Sequence, residues 1–222
     1  MYRKIFFLFF LTIVSISCRH SDSAKQGHGT ITYRVSYPES NKYGVKAYLF
    51  PREITLVFKD DKAAFIASGG LGMVQLVNLL NYKNQKYISL LIDEIHGNYA
   101  CTLSEEEIKK NENNPRYQIS ETGETKTIAG IQSKKAIVND LTNNKSFEIY
   151  YDDKIKFWYW NSPFKDFNYL FTEYTHTING LTMKLEAINV DFSSPVDTAL
   201  FNVKGNYIWV NQSTFFSHLS QM

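Results

Sequence analysis

The sequence predicts a mainly β domain of α+β type: a large curved antiparallel sheet or incomplete β-barrel with one or two short packed helices. Three observations predict it. Apolar and polar residues alternate with a period of two in many short runs, as in Ile31, Tyr33, Val35 and Tyr37 against Thr32, Arg34 and Ser36. Turn-forming residues separate these runs at short intervals. Aromatic residues are abundant, with 16 Phe, 15 Tyr and 3 Trp in 222 residues, which suits sheets better than long isolated helices.

At the N-terminus, Arg3 and Lys4 precede an apolar run from Ile5 to Val14, and the small residues Ser15 and Ser17 approach Cys18. This is the layout of a cleaved export signal over residues 1–17, and its apolar run is too short to span a bilayer comfortably. A cysteine directly after it resembles the lipidated first residue of a bacterial lipoprotein, in which acyl chains anchor the protein to a membrane. Residues 18–29 then form the lipidated cysteine and a polar, flexible tether, and residues 30–222 a single domain. The expected location is the bacterial cell envelope, on the inner or outer membrane, with the domain in the periplasm or at the surface.

The domain opens with a half-buried strand from Thr30 to Tyr37. VKAYLF (45–50), EITLVFK (53–59) and KAAFIAS (62–68) are strand-prone, with Asp60-Asp61 a charged turn and Gly69-Gly70-Leu71-Gly72 a reversal or bulge. MVQLVNLLNY (73–82) fits a helical face or a strand, and the strand-prone run from Tyr87 to Ile92 favours a hairpin. YACTL (99–103) follows Gly97-Asn98. Ser104 with Glu105, Glu106 and Glu107 has the N-cap and first-turn charges of a short helix, stopped near Pro115. ETKTIAG, QSKKAIVND, SFEIYYDD and KIKFWYW supply further strands, and NSPFKDFNYLF an irregular crossing. FTEYTHT, a turn at Asn179-Gly180, LTMKLEAINVDF and a helix over Ser213 to Leu219 close the chain.

The formal charge of +2 includes Arg3 and Lys4, so the remaining chain is near neutral and nucleic acid is not an expected partner. Cys101 is the only cysteine besides Cys18, which leaves no disulfide framework and makes Cys101 a small buried hydrophobe. No catalytic residue, metal ligand or cofactor site stands out. Asp93, Glu94 and His96 in IDEIH lack the helical HExxH zinc spacing and read as a surface strand-end cluster, the acid–base reading being the minor one. GGLG at 69–72 has no following Lys and Ser/Thr, so it reads as a turn rather than a phosphate loop. The aromatics Phe157, Trp158, Tyr159, Trp160, Phe164 and Phe167 are candidates for contact with a hydrophobic ligand, for core packing or for a protein-binding patch; alternation in FWYW leaves neither strand face polar.

Two segments carry a resemblance. ETKTIAGIQSKKAIVND (124–140), with Gly130 and the Lys134-Lys135-Ala136 step, and NGLTMKLEAINVDFSSPVDTALFNVKGNY (179–207), with Asp197, Phe201, Gly205 and Tyr207, resemble uncharacterised envelope lipoproteins of Bacteroidetes-type bacteria. Such domains are similar to the periplasmic lipoprotein-carrier (LolA/LolB-like) fold. The resemblance implies a non-enzymatic, lipid-anchored envelope protein without cofactors, whose concave sheet face holds a lipid or other hydrophobic small molecule. The alternative is a scaffold lipoprotein that docks an envelope protein partner.

Overall fold

The computed structural model describes residues 27–103, 117–142, 144–157, 167–178 and 181–221. One sheet of twelve strands dominates it: β1 His28–Ser36, β2 Glu53–Lys59, β3 Lys62–Gly69, β4 Val74–Asn81, β5 Lys86–Asp93, β6 Tyr99–Leu103, β7 Tyr117–Ile128, β8 Ile131–Asp140, β9 Lys145–Lys156, β10 Tyr169–Ile178, β11 Leu181–Asp191 and β12 Ile208–Trp209. Their order in the sheet is β12-β6-β5-β4-β3-β2-β1-β11-β10-β9-β8-β7. Strand β1 therefore sits centrally, with one meander running outward through β2 to β6 and another returning from β7 to β11. A C-terminal helix, α1 (Gln212–Gln221), packs near β6 and buries Phe215.

The sheet is mixed, which corrects the expectation of a wholly antiparallel sheet or incomplete barrel. β12 pairs β6 in parallel, Ile208 opposite Tyr99 and Trp209 opposite Ala100. A parallel neighbour requires a crossover rather than a hairpin. Here the chain leaves β11 and crosses the outer face, where Phe201, Val203 and Tyr207 pack on Ala64, Val77, Leu79, Leu90 and Ala100. It then reaches the free edge of β6.

The other face is concave. Phe157, just past β9, packs its ring 5.2 Å from Phe58 of β2, across the three intervening strands. Tyr33 of β1 donates its hydroxyl hydrogen bond to the Phe171 carbonyl of β10 at 2.8 Å. Tyr33, Leu56, Leu91, Ile149, Leu170 and Phe171 are fully buried within this inner core. Close packing also explains Gly29: a Cβ there would stand 2.4 Å from the Phe192 ring, which lies edge-on to Phe58. On the β7–β11 half of the molecule, the edge strand β7 is tied back across β8 and β9. The Glu173 carboxylate of β10 takes Lys126 of β7 at 2.7 Å on one oxygen and Lys184 of β11 at 2.7 Å on the other. Burial raises the Glu173 carboxyl, but the two lysine hydrogen bonds outweigh it and hold it below the usual glutamate range.

Local readings diverge from the structure where tertiary context overrules propensity. VKAYLF lies not in a strand but in a 3-10 segment, Ser40–Leu49, broken at Gly44 with φ +54°. The SFEIYYDD and KIK runs form one strand, β9, whose pairing with β10 is irregular near Asp152. β12 was not anticipated: a two-residue strand carries no periodicity. The helix expected at 104–112 lies outside the described residues.

His176, on β10, gives the fold a pH dependence. Burial pushes its imidazole down to about 4. An unfolded histidine titrates near ~6.5, so below that pH the unfolded chain takes up a proton that the native state refuses. Stability is then lost as pH falls from about 6.5 to about 4. His176 is partly accessible, which moderates the effect to about 1–2 kcal/mol. Urea unfolding between pH 7 and pH 4 is expected to show this slope, and His176→Gln to flatten it.

Candidate functional site

One end of the β1–β6 half gathers four irregular segments. The Ser40–Leu49 segment lies between β1 and β2, the Gly70–Gly72 turn between β3 and β4, and residues 94–98 between β5 and β6; the start of β12 joins them. Register aligns three strand ends, with Gly69 opposite Val74 and Val74 opposite Asp93. Two inter-strand spacings thus separate Gly69 from Asp93, about 10 Å. The loops are stitched together: the Met73 amide donates to Gly70 O at 3.2 Å, and the Glu94 amide to Met73 O at 3.1 Å.

At this rim Asp93 ends β5 and organises the turn after it. Its Oδ1 accepts the amides of Ile95 at 2.8 Å and His96 at 3.1 Å, which is why the strand stops there. Its Oδ2 lies 2.8 Å from His96 Nδ1. An ionised carboxylate only accepts, so Nδ1 carries the proton of this hydrogen bond. The two side chains are placed very differently, with Asp93 3% accessible and His96 66%. Burial raises the Asp93 carboxyl, but hydrogen bonds from the His96 ring and the Ile95 and His96 amides outweigh it and hold it below the usual carboxylate range. Tyr99 supports the turn by donating its hydroxyl to the His96 carbonyl at 3.2 Å, and His218 of α1 stacks on the Tyr99 ring at 4.0 Å. A buried carboxylate that orients an exposed imidazole is an arrangement that can serve a general base.

At the same end of the sheet, a cleft of about 410 Å³ opens between the Ser40–Leu49 segment and the Gly70–Gly72 turn. Tyr48, Phe50, Arg52, Glu53, Thr55 and Ser68 supply its side-chain walls, and Gly69 to Gly72 its backbone wall. Gly69 is required for this shape, because a Cβ there would stand 2.6 Å from the Leu49 carbonyl oxygen. Leu71 holds φ +58°, a left-handed conformation unusual for leucine, and is 88% accessible.

Of the aromatic residues singled out from the sequence, Phe157 is buried against Phe58, Phe65 and Tyr82. Phe167 is partly buried, with its ring 4.5 Å from Tyr151 and 5.0 Å from Tyr169. Trp158, Tyr159, Trp160 and Phe164 lie outside the described residues, as does Cys18. Cys101 is fully buried in the inner core. Among the described residues, no three or more His, Cys, Asp or Glu side chains are grouped to hold a metal ion. The sequence reads Asp93, Glu94 and His96 as a surface strand-end cluster; the turn after Asp93 is what brings the Asp93 and His96 side chains together. The cleft is not visible in the sequence, since its residues are brought together by pairing of β2 with β3 and by the Ser40–Leu49 and Gly70–Gly72 segments.

No family model and no curated protein matches the chain. Two crystal structures of PNGF-II are similar to it in fold. The form in space group P21 gives a TM-score of 0.53 at 19% identity, covering 88% of this chain and 34% of that one. The C2 form gives 0.52 at 21%, covering 87% and 33%. The chain thus spans about a third of the PNGF-II chain. At this identity the likeness is one of fold. It corrects the resemblance to envelope lipoproteins and to the LolA/LolB-like carrier fold: the mixed sheet matches that of PNGF-II. The expectations built on the carrier fold fall with it. These were a non-enzymatic protein holding a lipid or hydrophobic molecule in its concave face, and the scaffold alternative with an envelope protein partner. The membrane partner and envelope location, which were read from residues 1–18, are corrected by the same likeness. The inner core supplies a physical reason, since large side chains fill the concave face. Among the described residues, no helix is long and apolar enough to cross a membrane.

Proposed function

We propose that the chain takes part in hydrolysis of the glycoamidase class, cleaving the amide that joins a saccharide to a carboxamide side chain, with His96 as general base. The observation that carries this reading is the Asp93–His96 pair, an exposed imidazole oriented by a buried carboxylate. The PNGF-II-like fold supplies the reaction class.

In this reading His96 Nε2 takes a proton from water as the water oxygen bonds to the amide carbonyl carbon. Asp93 accepts the Nδ1 hydrogen bond throughout, fixing the tautomer and stabilising the imidazolium. The carbon–nitrogen bond then breaks and the proton held on Nε2 passes to the departing glycosylamine nitrogen. A carboxylic acid is left on the peptide. Asp93 suits this role because its lowered pKa keeps it ionised at neutral pH.

The test is incubation of the full chain with an asparagine-glycosylated peptide, followed by mass spectrometry. Appearance of the deglycosylated, aspartate-containing peptide is the expected result. A glycopeptide that stays intact at micromolar enzyme would overturn the reading.

A further inference from the structure

We propose that the cleft between the Ser40–Leu49 segment and the Gly70–Gly72 turn is a binding site for a neutral saccharide. This deepens the glycoamidase reading and rests on it, because it assigns the sugar portion of the substrate to one side of the rim and the amide to the other.

Four features of the cleft point to that ligand. The first is an aromatic wall: Tyr48 is 75% accessible and lines the opening beside Phe50, so its ring is available for a sugar's C–H face. The second is charge. Arg52 and Glu53 place one cation and one carboxylate in the lining, a balance that suits a hydroxyl-rich neutral molecule better than an anion. Third, the lining has spare hydrogen-bonding capacity. Arg52 is engaged with the Ala47 carbonyl at 3.4 Å and Ser68 with Gln75 at 3.3 Å, whereas the side chains of Glu53 and Thr55 and the Tyr48 hydroxyl make no hydrogen bond to another described residue. Fourth, the backbone wall is bare of side chains where it is tightest. Gly69 abuts the Leu49 carbonyl, and positive φ angles at Gly70, Leu71 and Gly72 turn the chain back on itself. A ligand can approach the backbone closely there.

Placement relative to Asp93 fits a two-part substrate. Thr55, Ile66 and Ser68 face the convex side of the sheet, where Ile66 packs with the outer cluster. Asp93 shares its face with Leu91 of the inner core and stands at the concave margin. A molecule that occupies both must cross the rim, over about 10 Å. A saccharide linked to a peptide does this; a free monosaccharide does not.

The experiment separates binding from turnover by using the full chain carrying His96→Asn. Backbone amide shifts are followed while N-acetylglucosamine and mannose oligosaccharides are titrated in, and hydrolysis by the unaltered chain is assayed in parallel. Saturable shifts at Ser68 to Gly72 are expected. Tyr48→Ala should weaken the affinity by about three- to tenfold, and Glu53→Gln should weaken it as well. Tyr48 is largely exposed, so its replacement should leave the melting temperature unchanged. The absence of saturable shifts, or affinity indifferent to Tyr48→Ala, would overturn the proposal. If the unaltered chain hydrolyses glycopeptide while the cleft stays silent, this inference fails and the glycoamidase reading stands. If the cleft binds but no hydrolysis occurs, the glycoamidase reading fails.

Discussion

Replacing His96 by asparagine is expected to slow glycopeptide hydrolysis by about 10²- to 10⁴-fold, the range for loss of a positioned general base. The loss should appear in kcat, with KM little changed, because the imidazole acts on water rather than holding the saccharide. Its side chain is largely exposed, so the fold should survive the change. Asp93→Asn gives a second, distinct outcome. The carboxamide oxygen can still accept the Ile95 and His96 amides, but an amide nitrogen facing Nδ1 would donate where the carboxylate accepted. The imidazole would then be driven to the wrong tautomer, and kcat should fall while the turn persists. Rate measurements at pH 7 to 8 on both variants check this, and a His96→Asn enzyme with unaltered kcat would remove His96 from the mechanism.

Replacing Phe171 by alanine is expected to destabilise the fold by about 3–5 kcal/mol, as for other large aromatic truncations in packed cores. The Phe171 ring is 1% accessible, packs 5.2 Å from Tyr174 and stacks 6.0 Å from Phe167. Its carbonyl still accepts the Tyr33 hydroxyl in the variant, so the loss reports side-chain packing alone. Urea unfolding measures it directly. This prediction separates a filled concave face from a ligand-holding one. A cost below about 1 kcal/mol would mean that the ring borders space rather than packed neighbours.

The strands were legible where one face is solvated and opaque where both are covered. In β1, Ile31, Tyr33 and Val35 enter the core while Arg34 and Ser36 are exposed, so period-two alternation is plain. In β4, Val77 and Leu79 lie under the crossing chain while Leu76 and Leu80 face the inner core, and the resulting apolar run has no period to read. The Ser40–Leu49 segment misled in the opposite direction. Val45 and Tyr48 are strand-prone, yet they are 82% and 75% accessible, because no neighbouring strand is there to pair with them.

The candidate site was half visible for a related reason. Asp93 and His96 could be seen as a close pair in the sequence. Their contact depends on the chain turning at Glu94, and that turn is fixed by Asp93 capping two amides and by the Glu94 amide reaching Met73. A strand at the same positions would set the two side chains on opposite faces. The cleft could not be foreseen, since Tyr48, Glu53 and Ser68 meet only through the β2–β3 register and the close approach at Gly69. The fold likeness was hidden as well: identity of 19–21% with PNGF-II leaves little to recognise without the three-dimensional match.

The most direct test of the account is hydrolysis of an asparagine-glycosylated peptide in ¹⁸O-water, with the unaltered chain and the His96→Asn variant run side by side. The account predicts one ¹⁸O atom in the new aspartate carboxyl with the unaltered chain, and little product with the variant. Equal labelled product from both, or no product from the unaltered chain, would contradict it.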